Sequence, residues 1–137
     1  MARADSSKPL VLVVEDHQDI RDLLRYMLTA RGFGVAEAEN GEDAIDMAER
    51  LHPGLILMDC SLPRLDGVSA TRRMRERETL RTVPIVFLSG HAEPAWETEA
   101  RDAGCDDYLV KPFRVAQLDR VLAEHLPLEK SGTAVTI

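Results

Sequence analysis

Short runs of consecutive apolar residues alternate with amphipathic stretches along this chain of 137 residues. The runs predict five strands, at 10–14, 34–36, 55–58, 85–88 and 108–110. Hydrophobic residues within each run are continuous rather than alternating. This indicates strands that are covered on both faces, as in a parallel sheet between two layers of helices.

Apolar residues at helical spacing predict five helices that alternate with the strands. The first helix is marked by Ile20, Leu23, Leu24, Met27 and Leu28, and it stops near Gly32, a residue suited to a helix C-terminus. The others are predicted at 42–51, 68–78, 94–103 and 115–126. Such alternation predicts right-handed crossovers and a doubly wound α/β fold. We expect one domain at 9–126, between a flexible N-terminal segment at 1–8 and a C-terminal tail at 127–137.

Charge and composition exclude several classes of partner. The net charge of −7 disfavours direct binding to nucleic acid or to an anionic membrane, because both require a cationic face. Every apolar run is far shorter than the roughly 20 residues that span a bilayer. Cys60 and Cys105 lack metal or disulfide spacing, and the polar first eight residues do not resemble a secretion signal. We therefore expect a cytoplasmic protein.

Polar residues that could carry chemistry come directly after four of the predicted strands. Glu15 and Asp16 follow the first strand, Asp59 the third, Ser89 the fourth and Lys111 the fifth. Parallel strands end at the same edge of a sheet, and ligands of open α/β sheets bind at that edge. The sequence therefore predicts one site that contains three carboxylates, a hydroxyl and a lysine.

This set of side chains favours phosphoryl chemistry. Three neighbouring carboxylates repel one another unless a cation joins them, and Mg²⁺ prefers oxygen ligands. A lysine and a hydroxyl beside the metal suit phosphate oxygens. An aspartate can also act as the nucleophile and form an acyl phosphate.

Four motifs resemble those of response regulator receiver domains of two-component signalling. They are VVEDH at 13–17, LMDCSLPRLDG at 57–67, PIVFLSG at 84–90 and AGCDDYLVKPF at 103–113. The resemblance extends over about 10–126. It implies a flavodoxin-like fold, with a five-stranded parallel sheet in the order 2-1-3-4-5 and five helices.

The resemblance implies a role for each residue of the site. Asp59 would be the phosphoacceptor, and Lys111 would contact a phosphoryl oxygen. Asp16, Asp59 and the backbone carbonyl of Ser61 would bind Mg²⁺, with Mn²⁺ as a substitute, while Glu15 would act largely through water.

The resemblance also implies a conformational switch. Ser89 would move to meet the phosphoryl group, and Tyr108 would turn inward into the space behind it. Ser89 replaces the commoner threonine, so the steric part of the switch is expected to be weaker. The Lys111–Pro112 bond is expected to be cis.

Partners follow from the same resemblance. A histidine kinase or histidine phosphotransfer protein would donate the phosphoryl group. The face built from the fourth helix, the fifth strand and the fifth helix would then change its binding to a downstream protein or to a second copy of the chain. The protein would catalyse its own phosphorylation and dephosphorylation without being a turnover enzyme.

Two other functions use similar residues. Aspartate-dependent phosphatases resemble Asp-x-Asp at the nucleophile, whereas this chain has Asp59-Cys60-Ser61. A binding module that is never phosphorylated would not need all five site residues. Taken singly, Asp16 could be a helix cap, Lys111 a surface lysine, and Trp96 a core or partner-binding residue.

Overall fold

Five parallel strands form one sheet in the part of the chain that the structure, a computed structural model, describes, namely residues 8–91 and 93–126. The strands are β1 (Leu10–Val14), β2 (Gly34–Ala38), β3 (Leu55–Asp59), β4 (Ile85–Ser89) and β5 (Asp107–Val110). Their order is β2-β1-β3-β4-β5, which confirms the predicted topology. The predicted N-terminal segment, apart from Lys8, and the predicted tail lie outside the described residues.

The five helices also lie where the sequence predicts them, with small shifts at their ends. They are α1 (Gln18–Ala30), α2 (Gly41–Leu51), α3 (Gly67–Arg75), α4 (Pro94–Ala103) and α5 (Val115–His125). None of these described helices combines the length and the apolarity that crossing a membrane requires.

Helices cover both faces of the sheet, and strand side chains alternate between the two faces. Leu12 and Val14 of β1 pack in a core formed with α2, α3 and α4. Val11 and Val13 of the same strand pack in a second core formed with α1 and α5. Because both faces are buried, the central strands are apolar up to their last residues, Asp59 in β3 and Ser89 in β4, which explains the continuous hydrophobic runs.

The predicted end of α3 at residue 78 is wrong, because this helix ends at Arg75 and a 3₁₀ helix follows at Glu78–Leu80. The chain must reverse there to bury Leu80, which is 1% exposed. Arg75 holds the reversal: its Nη1 donates to the carbonyl oxygens of Leu80 and Val83 at 2.9 and 2.8 Å. Tertiary packing therefore overrides a helical pattern that continues in the sequence.

The connection from β3 to α3 is packed tightly against the end of the strand. Asp66 caps α3, because its side chain accepts a hydrogen bond from the Ser69 N–H at 2.8 Å. At Gly67 a Cβ atom would lie 2.5 Å from the Asp59 carbonyl oxygen, so only glycine fits there. This close approach holds the loop beside Asp59.

Both cysteines are free and buried. Burial raises the pKa of Cys60 to about 12 and that of Cys105 to about 11. Both thiols are therefore protonated at neutral pH and behave as small packing residues.

Candidate functional site

Three charged side chains meet at the carboxyl edge of the sheet. The Lys111 Nζ atom lies 3.0 Å from Asp59 Oδ1 and 3.2 Å from Glu15 Oε1. Glu15 is 0% exposed and Asp59 is 5% exposed, so the lysine pairs with two buried carboxylates. The predicted convergence of these three strand ends is confirmed.

Strand pairing explains why these residues meet. Asp59 closes β3, which lies between β1 and β4, and Glu15 follows directly after β1. Lys111 follows β5, and its backbone N–H donates to the Ser89 carbonyl oxygen at 2.7 Å, which extends the pairing of β4 with β5 by one residue. From there the long lysine side chain reaches past β4 to β3 and β1. The Lys111–Pro112 peptide bond is cis, as the resemblance implied.

The charges of the three groups depend on one another. Burial raises the pKa of Asp59 above its ordinary value, and the negative charges of Glu15 and Asp16 add to this effect, while Lys111 opposes it. Burial alone would also raise the pKa of Glu15, but hydrogen bonds from His17 and the charge of Lys111 outweigh it and lower that pKa. Burial lowers the pKa of Lys111 less than the two carboxylates raise it, so the lysine remains protonated.

Asp16 and His17 extend the site toward solvent. The His17 Nδ1 atom lies 2.9 Å from Glu15 Oε2 and 3.3 Å from Asp16 Oδ1. The hydrogen bond to Glu15 is the main reason why the pKa of His17 is raised. The helix-cap alternative for Asp16 does not hold, because the N-cap residue, which directly precedes the first residue of α1, is His17.

The donor atoms at this edge suit a hard divalent cation. Ligand atoms of Glu15, Asp16 and His17 all lie within 4.8 Å of one another, and Glu15 is linked to Asp59 through Lys111. Carboxylate oxygens dominate the set, and Mg²⁺ prefers such oxygens together with water. Ser61, whose carbonyl is the predicted further ligand, lies at an exposed position two residues after Asp59.

Ser89 and Tyr108, the predicted switch pair, are linked through His91. Ser89 is 2% exposed, and its Oγ accepts a hydrogen bond from the His91 N–H at 3.0 Å. The Tyr108 hydroxyl donates to the His91 carbonyl oxygen. The two side chains therefore hold the same residue of the loop between β4 and α4.

Trp96 makes a contact with Ser89 that the sequence did not reveal. Its Nε1–H donates to Ser89 Oγ at 3.0 Å. The two residues are seven apart and a loop separates them, so no periodic pattern could have predicted the contact.

Arg21 is a second residue that the sequence reading missed. It is 8% exposed, and its Nη1 donates to the Glu15 carbonyl oxygen at 2.9 Å while its Nε donates to Glu37 Oε1 at 3.2 Å. A signal for it existed, since Arg21 shares helical spacing with the buried residues Leu24 and Leu28. Arg21 thus holds the backbone at Glu15 in place.

Comparison with known proteins places this arrangement in a family. The model of the response regulator receiver domain matches residues 11–123. The chain belongs to this family. Receiver domains are phosphorylation-dependent switches of two-component systems, so the chain is a signalling protein rather than an aspartate-dependent phosphatase.

Individual relatives agree with the assignment. The chain is 40% identical to the receiver domain of the sensor histidine kinase PA1611 of Pseudomonas aeruginosa PAO1, with a TM-score of 0.80 over 86% of this chain and 97% of that one. The crystal structure of that domain holds a magnesium ion in its active-site cleft. The chain is also 32% identical to the polar-differentiation response regulator DivK of Brucella ovis over 85% of this chain and 94% of DivK.

A longer relative contains a similar domain as one part. The chain is 34% identical to the regulatory protein AtoC of Escherichia coli over 87% of this chain, but it spans only 25% of AtoC.

Proposed function

We propose that a phosphorylated histidine kinase or histidine phosphotransfer protein transfers its phosphoryl group to Asp59 of this chain. The observation that carries the proposal is the pairing of Lys111 with the buried carboxylates of Asp59 and Glu15. In this transfer an Asp59 carboxylate oxygen forms a bond to phosphorus while the phosphorus–nitrogen bond of the donor breaks. The product is an acyl phosphate on Asp59 and a free histidine on the donor.

Lys111 supports the transfer by remaining a cation. Its pKa is raised, so its side chain is a positively charged ammonium group. During the transfer this group can shift its contact from the Asp59 carboxylate to an oxygen of the incoming phosphoryl group. Burial of Asp59 removes water from the nucleophile and raises its pKa, which makes the carboxylate more basic than an exposed aspartate.

Magnesium completes the site in this proposal. Asp16, Asp59 and the Ser61 carbonyl would bind the ion, with Glu15 acting through water. When bound, the ion neutralises the oxygens of the transferring phosphoryl group. The magnesium in the PA1611 receiver domain supports this assignment, and Mn²⁺ is expected to substitute.

The donor would dock at an apolar groove beside Lys111. The groove is lined by Ile20, Leu23, Leu24, Met27, Leu88, Lys111, Pro112, Phe113 and Val115. Leu23 and Val115 are 57% and 50% exposed although both are large and apolar. A helix of the donor that packs in this groove would bring its phosphohistidine close to Lys111 and to the Asp59 carboxylate that accepts the phosphoryl group.

The phosphoryl group would change the opposite end of the site. Ser89 and Tyr108 both bind His91, so movement of Ser89 toward the phosphoryl group would disturb the loop before α4 and the face formed by α4, β5 and α5. A downstream protein or a second copy of the chain would bind that face differently after phosphorylation.

The chain would also catalyse its own dephosphorylation. We place this signalling in the cytoplasm, where free thiols such as Cys60 and Cys105 persist.

Labelling by acetyl phosphate tests the proposal. The wild-type protein should be labelled in the presence of Mg²⁺ and not in EDTA, and Asp59→Asn should abolish the label. Asp66→Asn is the matched control, because asparagine caps a helix as well as aspartate does and Asp66 lies only seven residues away. Undiminished labelling of the Asp59→Asn protein would refute the assignment.

A further inference from the structure

Trp96 occupies an unusual place for an indole, because it donates its hydrogen bond to the predicted switch hydroxyl. Trp96 lies in the first turn of α4 and is half-buried against the core formed with α2, α3 and α4. Its ring also packs at a tilt of 50° on His91, with 5.1 Å between the ring centroids. The indole is therefore positioned by contacts other than the hydrogen bond to Ser89.

The two hydrogen bonds to Ser89 occupy its acceptor capacity. A serine hydroxyl can accept two hydrogen bonds and donate one, and Ser89 Oγ accepts from Trp96 Nε1 and from the His91 N–H, both at 3.0 Å. Both donors come from the loop and first turn that follow β4. The Ser89 oxygen is thus held toward α4.

Movement of Ser89 must break this arrangement. If Ser89 Oγ rotates toward a phosphoryl group on Asp59, the Trp96 indole loses its acceptor, and an indole can only donate. Loss of a hydrogen bond to a half-buried donor carries a free-energy cost, which stabilises the state in which Ser89 faces α4.

We propose that Trp96 is a positioning residue that holds the Ser89 hydroxyl away from Asp59 and so opposes the phosphorylated conformation. The proposal rests on the proposed function, because it needs Ser89 to respond to a phosphoryl group on Asp59. In this proposal α4 controls the Ser89 hydroxyl directly, through the hydrogen bond from Trp96, in addition to the contact of Tyr108 with His91.

A double-mutant cycle tests the proposal with beryllium fluoride and Mg²⁺, which together mimic the phosphoryl group on aspartate. Trp96→Phe keeps an aromatic ring but removes the N–H, and Ser89→Ala removes the acceptor. We expect Trp96→Phe to bind beryllium fluoride about fivefold more tightly than wild type, the effect of one net hydrogen bond. In the Ser89→Ala background the same change should have no effect. Fluorine NMR measures all four affinities.

The same fold-change in beryllium fluoride affinity in both backgrounds, or weaker binding by Trp96→Phe, would overturn the proposal, since either result would mean that Trp96 acts on packing alone.

Trp96 is also the one tryptophan of the sequence, so its fluorescence emission reports on its contact with Ser89. Beryllium fluoride should change the emission of wild type and leave that of Ser89→Ala almost unchanged; equal changes would contradict the proposal. This second measurement needs no substitution at Trp96, so it stands even if Trp96→Phe unfolds.

The experiment separates failure of this inference from failure of the proposed function. If wild type binds beryllium fluoride and Asp59→Asn does not, the phosphoacceptor assignment holds and the cycle alone decides the role of Trp96. If wild type and Asp59→Asn behave alike, the phosphoacceptor assignment itself is overturned.

Discussion

At the scale of single residues, Lys111 has two roles, one in the stability of the fold and one in the proposed phosphoryl transfer. It pairs with the buried carboxylates of Glu15 and Asp59, and it would be the cation beside the proposed nucleophile, Asp59. Truncating one partner of a buried ion pair costs more than the pair itself contributes, because the remaining charges are left without compensation. Lys111 should therefore matter for stability as well as for phosphoryl transfer.

We predict that Lys111→Met lowers the free energy of unfolding by about 2 kcal/mol at pH 7 in EDTA, because two buried carboxylates then face each other. Without the lysine the folded-state pKa of Asp59 rises further above its unfolded value. A carboxyl whose pKa is raised in the folded state destabilises that state above its pKa, and the cost disappears as the group is protonated. The decrease in the free energy of unfolding caused by Lys111→Met should therefore become smaller as the pH falls toward about 4. Urea unfolding at several pH values measures it.

Lys8→Met is the control for this prediction, since Lys8 is exposed and its replacement should leave the stability nearly unchanged. A loss in Lys111→Met that is the same at every pH would show that the lysine contributes by packing and not by charge.

Residue-level prediction from sequence succeeded where position along a strand determines placement. Glu15, Asp59 and Lys111 follow or close strands of one parallel sheet, so their meeting could be inferred from topology. The contact of Trp96 could not, because it depends on how a helix places its side chain across a loop; for Arg21, helical spacing with Leu24 and Leu28 indicated burial but not its hydrogen-bond partners. The hydrophobic pattern alone does not distinguish such contacts from ordinary packing.

At the scale of elements, α1 combines two faces with different tasks. Its inner face carries Arg21, Leu24 and Leu28, which are buried. Its outer face leaves Leu23 exposed at the edge of the groove beside Lys111. An exposed leucine is common, but one that lines an apolar groove next to the proposed phosphoacceptor site supports the proposed docking surface.

We predict that Leu23→Asp lowers the rate of phosphotransfer from a phosphorylated histidine-containing donor at least about tenfold, because a charge in an apolar interface must be desolvated. Labelling by acetyl phosphate should stay at the wild-type rate, since this small donor needs no docking surface. Leu51→Asp is the matched control, as Leu51 is 39% exposed on α2, across the sheet. Equal rates of protein phosphotransfer in the two variants would contradict the docking assignment.

Element boundaries show what the hydrophobic pattern can and cannot fix. Five strands and five helices follow from the alternation of apolar runs, and α4 has the predicted bounds. The end of α3 was missed because burial of Leu80 and the hydrogen bonds of Arg75 turn the chain back. The strand order came from the resemblance to receiver domains, since hydrophobicity does not specify which strands are neighbours.

At the scale of the whole molecule, the sheet separates the two functions of a switch. In the proposed function, phosphoryl chemistry would take place at its carboxyl edge, where Lys111 joins Glu15 and Asp59. The resulting conformational change would be transmitted through Ser89, His91 and Tyr108 to the face formed by α4, β5 and α5. In this proposal one buried hydroxyl, that of Ser89, would connect the reaction to a surface that a partner recognises.

Direct mapping of the phosphoryl group tests the central claim. The wild-type protein is treated with acetyl phosphate and Mg²⁺, the acyl phosphate is reduced with borohydride, and the modified residue is located by peptide mass spectrometry. The account predicts that the modification lies on Asp59 and on no other aspartate. A modification on Asp16 or another residue, or an unmodified Asp59 in a protein that carries the label, would contradict it.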